Sequence, residues 1–176
     1  MGFTCFQQPH PPLEMGAQSD GATRRAARIT DGVFFGPQVA WRDIEKLAAV
    51  FRDERAKQAG VGPGHVGASR SLIVGKDRES ARTAAVEYLE KTFAMYRRWE
   101  MQEKGMVPLQ LSPEIALDDW TVYGSPRDCV ETLRRAAAMG LERVGLSIYS
   151  LPREVQARID YLQMISEEIV RPVAAA

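Results

Sequence analysis

EMGAQSDGATRRAARITDGVFFGP, residues 14–37, decides the fold. Leu13 to Ala17 reads as a strand, and Ser19 is placed to cap a helix on which Ala22, Ala26 and Ile29 share one face while Arg24 and Arg28 take the other. Gly32 stands where a helix-terminating glycine would. Val33, Phe34 and Phe35 then form a wholly apolar run of the kind a parallel sheet buries on both sides, ended by Gly36 and Pro37. A strand, a short helix and a second strand in this order make a parallel crossover. At its first turn the chain leaves a strand at Gly16 and enters a helix by Ser19, so the backbone N–H groups from Ala17 to Gly21 are free and the helix dipole adds positive potential. Such a turn can bind an anion, a coenzyme phosphate in particular. The same spacing equally describes an ordinary capped turn between strand and helix, and spacing alone does not separate the two.

The alternation continues outward from this unit. Pro9, Pro11 and Pro12 around His10 make residues 1–12 an extended lead-in. Downstream, Ile44, Leu47, Ala48 and Phe51 mark a helix from Trp41 to about Lys57, which Gly60, Gly62, Pro63 and Gly64 break. Ser71 to Gly75 is the next buried strand. A long helix follows, with Ala81, Ala84, Ala85, Tyr88, Thr92, Met95, Tyr96 and Trp99 on one stripe and Arg82, Glu87, Glu90, Arg97 and Arg98 on the far face. Residues 105–119, with Pro108 and Pro113, read as irregular, and Trp120 to Tyr123 as a short strand. Gly124-Ser125-Pro126 opens a helix buried through Val130, Leu133 and Ala137 and closed by Gly140; Arg143 to Tyr149 is a further strand, and Pro152 opens a last helix before a frayed tail at 171–176. The expected class is α/β with a mainly parallel sheet. A closed eight-stranded barrel takes roughly 250 residues, so about four such units over residues 13–170 amount to half of one.

Composition narrows the function. Lys plus Arg equals Asp plus Glu at 23 each, so no overall charge draws the chain to nucleic acid or to an anionic membrane. The two cysteines, Cys5 and Cys129, lack metal-ligand spacing and read as reduced thiols, which favours the cytoplasm. No apolar run approaches the roughly 18 residues of a membrane span, and none follows a basic start as in a signal peptide.

Two segments together, PPLEMGAQSDGATRRAARITDGVFF and WTVYGSPRDCVETLRRAAAMGLERVGLSIY, resemble the luciferase-like monooxygenase family of flavin- or deazaflavin-dependent barrel oxidoreductases. The shared pattern is a Pro-Pro-apolar strand, a small-residue turn, an Ala- and Arg-rich helix ending in Thr30-Asp31-Gly32, and later Gly-Ser-Pro, an amphipathic helix and a Gly-x-x-x-apolar strand. The resemblance implies a TIM-type (β/α) barrel present as its C-terminal half. It also implies a coenzyme phosphate near Gly16, Ala17, Gln18 and Ser19, with a deazaflavin coenzyme (factor 420) or FMN as the cofactor and a small organic molecule as the substrate of hydride transfer or oxygenation. Most of the family's ring cradle and catalytic side chains lie on earlier strands without counterpart in this sequence, so catalytic residues stay unassigned. A homo-oligomer or a separate N-terminal half is then expected to complete the barrel; a non-catalytic scaffold chain that completes a barrel with a partner is the alternative. Asp20 departs from the pattern, since a carboxylate repels a phosphate unless it points away.

Other residues attract a functional reading and are set aside. His10 and His65 fall in a proline and a glycine loop without a visible carboxylate, and no metal site is expected. Arg70, ahead of its strand, reads as a surface charge. Lys76 and Asp77 are better placed, following the C-terminal end of a strand, where sites in parallel barrels gather. Glu114 and Asp118 read as a solvated turn rather than an acid/base pair, and Cys129 as structural.

Overall fold

The computed structural model describes residues 6–8, 10–101, 104–105, 112–149 and 151–175; Cys5, Pro9 and Pro108 lie outside them. In chain order the elements are β1 (Glu14–Ala17), α1 (Asp20–Ile29), β2 (Gly32–Phe35), α2 (Trp41–Ala56), β3 (His65–Val74), α3 (Arg78–Arg98), α4 (Pro113–Trp120), β4 (Thr121–Gly124), α5 (Pro126–Ala138), β5 (Arg143–Ile148) and α6 (Val155–Ile165). A π-helical turn, Ser166–Val170, and α7 (Arg171–Ala174) follow. The final residues are thus helical rather than frayed through Ala174. Val173 packs against the core beneath α5, and Arg134 donates to the Pro172 carbonyl at 3.0 Å.

All strand pairs are parallel. Gly67 and Ala68 of β3 pair with β2 and also with β5, so those strands flank β3 on opposite edges. Ser71 and Leu72 pair with β4 and with β5, which places β4 beyond β2 along the same edge. Among the described residues β1 pairs only with β2, and β5 only with β3, so the sheet stays open at both ends.

Strand alternation divides the sheet into two faces. On one, Val33, Phe35, Val66 and Ala68 pack on Ala26, Ala27, Ile44, Leu47 and Phe51 of α1 and α2, and Leu72 and Val122 on Cys129, Val130 and Leu133 of α5. The other face carries Ile73 and Tyr123 against Ala81, Ala85, Leu89 and Phe93 of α3 and against Trp120 of α4. The helices therefore do not form one outer layer: α3 and α4 cross to the opposite face at the C-terminal end of β3.

The largest departure from the sequence reading is β3, which begins at His65 rather than Ser71. Gly67, Ala68 and Ser69 have the small-residue character of a loop, but Gly67 lies under the Phe34 ring, and Ala68 is buried on the opposite face, in the core with α1 and α2. A Cβ on Gly67 would stand 2.7 Å from a Phe34 ring carbon. Arg70 is correspondingly interior, 1% exposed. Its guanidinium lies 3.9 Å from the centre of the Trp41 ring and donates to the carbonyls of Ser69 and Val39, each at 2.7 Å. Burial lowers its pKa to about 10, against the pull of Asp119, so it remains charged at neutral pH. The segment expected to be irregular holds α4, capped by Ser112 with Pro113 in its first turn.

Candidate functional site

In parallel sheets, loops at the C-terminal ends of the strands carry the chemistry. Here those are the turn Gln18-Ser19, the loop from Gly36, the turn Gly75 to Asp77, Ser125, and Tyr149. The expected phosphate turn has the geometry its residues dictate. Ser19 caps α1, its Oγ accepting from the Ala22 amide at 3.4 Å and its carbonyl from Thr23 at 2.9 Å. The amides of Asp20 and Gly21, in the first turn, have no intrahelical acceptor. Gly16 is exposed, and a Cβ there would find nothing of the chain closer than the Phe34 carbonyl at 4.0 Å. The Ala17 side chain turns the other way and is buried on the α1 face, leaving only its backbone at the turn. Gln18 is exposed. Asp20 is neutralised by Arg24, whose Nε and Nη2 reach its two oxygens at 2.7 and 3.3 Å. This removes the repulsion expected between that carboxylate and a bound anion. An anionic group therefore fits the turn on three counts: open space over Gly16, unclaimed amides, and a locally compensated carboxylate.

Register places Glu14 and Gly16 of β1, Phe34 of β2, Gly67, Ser69 and Ser71 of β3, and Arg143, Gly145 and Ser147 of β5 on one face. At the N-terminal end Arg143 bridges to Glu14 over β2 and β3 at 2.8 Å. In the middle Phe34 lies over Gly67 and Gly145, whose added Cβ atoms would stand 2.7 and 3.2 Å from its ring. At the C-terminal end the lining turns polar. The Ser71 hydroxyl donates to the Tyr88 oxygen at 2.7 Å, and the Tyr88 ring meets that of Tyr149 with centroids 4.2 Å apart. The sequence reading places Ser71 at the start of a strand; that Ser69 belongs to the same strand, and that Tyr88 reaches Ser71, depend on the pairing of β3 and on α3 crossing to this face.

A second concavity, about 340 Å³, opens between α2, α4, α5 and β4, with Trp41, Arg78, Asp119, Tyr123 and Arg135 among its walls. Tyr123 donates to Asp118 at 2.8 Å and accepts from Arg78 at 3.3 Å. Burial, with the Asp118 bond, raises the Tyr123 pKa. Glu114 bonds Ser112, so Glu114 and Asp118 share a helix yet form no acid/base pair.

Asp77 caps α3 in a reciprocal box with Ser80, and Lys76 is exposed. Both histidines acquire carboxylate neighbours that the sequence did not reveal, His65 with Glu142 at 3.0 Å and His10 with Asp31 at 3.8 Å. These pairs sit at the N-terminal ends of the strands, away from the site. Among the described residues no cluster of three or more His, Cys, Asp or Glu could hold a metal ion, and no helix is long and apolar enough to cross a membrane. Cys129 is buried, and desolvation pushes its thiol up to about 12.

Comparison with known proteins gives these elements a context. A family model described as luciferase-like monooxygenase matches residues 2–143. No curated protein matches significantly in sequence. Among solved structures, the chain is similar to the oxygenating constituent of 3,6-diketocamphane monooxygenase from Pseudomonas putida in complex with FMN, with a TM-score of 0.66 and 15% identity over 93% of this chain and 49% of that one. It is also similar to the coenzyme F420 dependent tetrahydromethanopterin reductase of Methanopyrus kandleri, with a TM-score of 0.59 and 18% identity over 91% and 50%. A third similar structure is an F420-dependent secondary alcohol dehydrogenase in complex with an F420-acetone adduct, with a TM-score of 0.68 and 15% identity over 94% and 50%. At these identities the likeness is one of fold. The chain spans about half the length of these structures, and its open sheet corresponds to part of a TIM-type barrel.

Proposed function

Because the chain belongs to the luciferase-like monooxygenase family, we propose that it supplies the coenzyme-phosphate half of a flavin- or deazaflavin-dependent oxidoreductase acting on a small organic substrate. Gly16, Ala17, Gln18 and Ser19 hold the phosphate of FMN or of the deazaflavin through backbone amides and the α1 dipole. The cofactor supplies the redox chemistry, and this chain's residues bind and orient it. The observation that carries the reading is the unobstructed approach over Gly16, beside a capped helix N-terminus at the C-terminal end of β1. The free, buried thiol of Cys129 supports a cytoplasmic setting. Hydride transfer and oxygenation are both compatible with this assignment.

A titration of the full chain with FMN and with the deazaflavin, side by side, tests it. Gly16→Val adds bulk where the phosphate approaches but meets nothing in the chain itself at its Cβ. It is expected to weaken coenzyme binding by about tenfold or more, the scale of losing one or two hydrogen bonds to a charged group. Unchanged affinity in a folded Gly16→Val variant would remove the turn from the site. The alternative, a scaffold chain that completes a barrel without binding coenzyme, draws on the open edges of β1 and β5; it requires that neither coenzyme bind even after a partner has closed the sheet.

A further inference from the structure

Four strand positions span this sheet, β1, β2, β3 and β5 in spatial order, because β4 lies beyond β2 on the same edge of β3. All are parallel, and among the described residues both end strands keep an open edge. A TIM-type barrel closes with eight. On the glycine-bearing face Glu14, Gly16, Arg143, Gly145 and Ser147 of the end strands are all exposed. On the helical face Val144, Leu146 and Ile148 of β5 stay half-buried, whereas Val33, Phe35, Val66 and Ala68 of the inner strands are fully buried. Beside β5 an apolar groove of about 320 Å³ runs between Leu133, Val144, Leu146 and Val170. In a parallel β/α sheet each helix packs across its own strand and the next. The helix after β5, α6, exposes Val155, Ile159 and Leu162 at helical spacing, and among the described residues no strand lies beyond β5 to cover them.

We infer that a second copy of this chain takes that place. The β5 edge of each copy pairs in parallel with the β1 edge of the other, so that two copies close one eight-stranded barrel around a two-fold axis along its centre. Rotation around the barrel axis keeps every strand parallel and leaves no edge open; β5 against β5, or β1 against β1, would run antiparallel and leave two edges open. Charge favours the same joining. Glu14 and Arg143 stand at the N-terminal ends of the two edge strands on one face, and their bridge at 2.8 Å within the chain sets them at one height. Each seam therefore brings the carboxylate of one copy beside the guanidinium of the other. α3 and α4 rest on Ile73 and Tyr123, well beyond Ala68, where β2 stops pairing, so they stand over the mouth rather than along either edge. One consequence rests on the proposed function: the Gly16 to Ser19 turn then lies beside the end of β5 from the other copy, and each coenzyme site is completed by its partner.

Sedimentation equilibrium of the full chain at micromolar concentration is expected to give a closed dimer. A monomer, or a mass that keeps growing with concentration, overturns the inference. Charge reversal identifies the seam. Glu14→Arg and Arg143→Glu each put like charges at both seams, and each is expected to weaken dimerisation by about tenfold or more. Mixed in equal amounts, the two variants are expected to recover dimerisation as a heterodimer, in which both seams again join opposite charges. Within each variant chain the two positions stay like-charged, so recovery can arise only between copies, and its absence overturns the inference. Ile159→Glu, at a side chain exposed in the single chain, is an independent check: it is expected to give a monomer with unchanged circular dichroism, and an unchanged dimer overturns the inference. Coenzyme titration of the native chain separates the two readings. A dimer that binds neither FMN nor the deazaflavin defeats the phosphate turn alone, and coenzyme binding by a monomer defeats the two-copy barrel alone.

Discussion

Glu54 of α2 gathers three cations from two helices. Its carboxylate accepts from Arg24 at 3.2 Å and from Lys57 at 3.0 Å, and Arg28 donates at 2.7 Å. The bonds to Lys57 and Arg28, opposed by burial, lower its pKa from an ordinary 4.5 to about 2. A carboxylate whose folded pKa is depressed contributes stability that is fully present above its unfolded pKa and is lost as pH falls through the folded one. The Glu54 contribution should therefore be intact above about pH 5 and fade between 4.5 and 2. Urea unfolding of the native chain and of Glu54→Gln is expected to show a gap in midpoint at pH 7 that closes as pH approaches 2; a gap of constant size would mean that the ion cluster is not its source. Arg70 teaches a different lesson at the same scale. Its charge is satisfied by carbonyls and an aromatic face rather than by a bonded carboxylate, which is why a sequence neighbourhood without an obvious acid misrepresents it as exposed.

The start of α5 shows how sequence chemistry becomes an element. Gly124 has φ +136°, and a Cβ there would lie 2.5 Å from the Asp128 Cβ, so the chain turns from β4 into α5 only with glycine. Ser125 accepts from the Asp128 amide while Asp128 accepts from the Ser125 amide at 2.9 Å, and Pro126 occupies the first turn. Ser125→Ala is expected to cost about 1 kcal/mol. Gly124→Ala should cost more, because strain at positive φ adds to a clash with the Asp128 side chain, which is the other half of the cap. Thermal unfolding of the two variants checks the order, and equal losses would contradict it. This start was fully legible in the sequence because each participant lies within a few residues of the others. The start of β3 was not. His65 to Ala68 form strand because β2 pairs with them and β5 joins Gly67 and Ala68 from the other edge, and the missing side chain of Gly67 answers to Phe34, a residue of another strand.

For the molecule as a whole, the open edges of β1 and β5 have a physical consequence. Unpaired strand edges and half-buried apolar side chains on β5, with Val155, Ile159 and Leu162 exposed along α6, favour association with another chain. Light scattering at micromolar concentration is expected to show a dimer or a larger species. A stable monomer that also binds no hydrophobic dye would contradict this expectation.

What the sequence by itself determined is the set of features written in short spacings: the α/β alternation, the caps at Ser19 and Ser125, the glycine after α5, and the small-residue turn at Gly16. Local hydrogen bonding and apolar periodicity fix these within a few residues. Only the tertiary structure decided that α3 packs on the face opposite α1 and α2, that Arg70 is interior, that His65 meets Glu142, and that Tyr88 joins Ser71. Each of these depends on which strand neighbours which and on which side of the sheet a crossover passes, and such choices are made by pairing and burial between residues far apart in the chain.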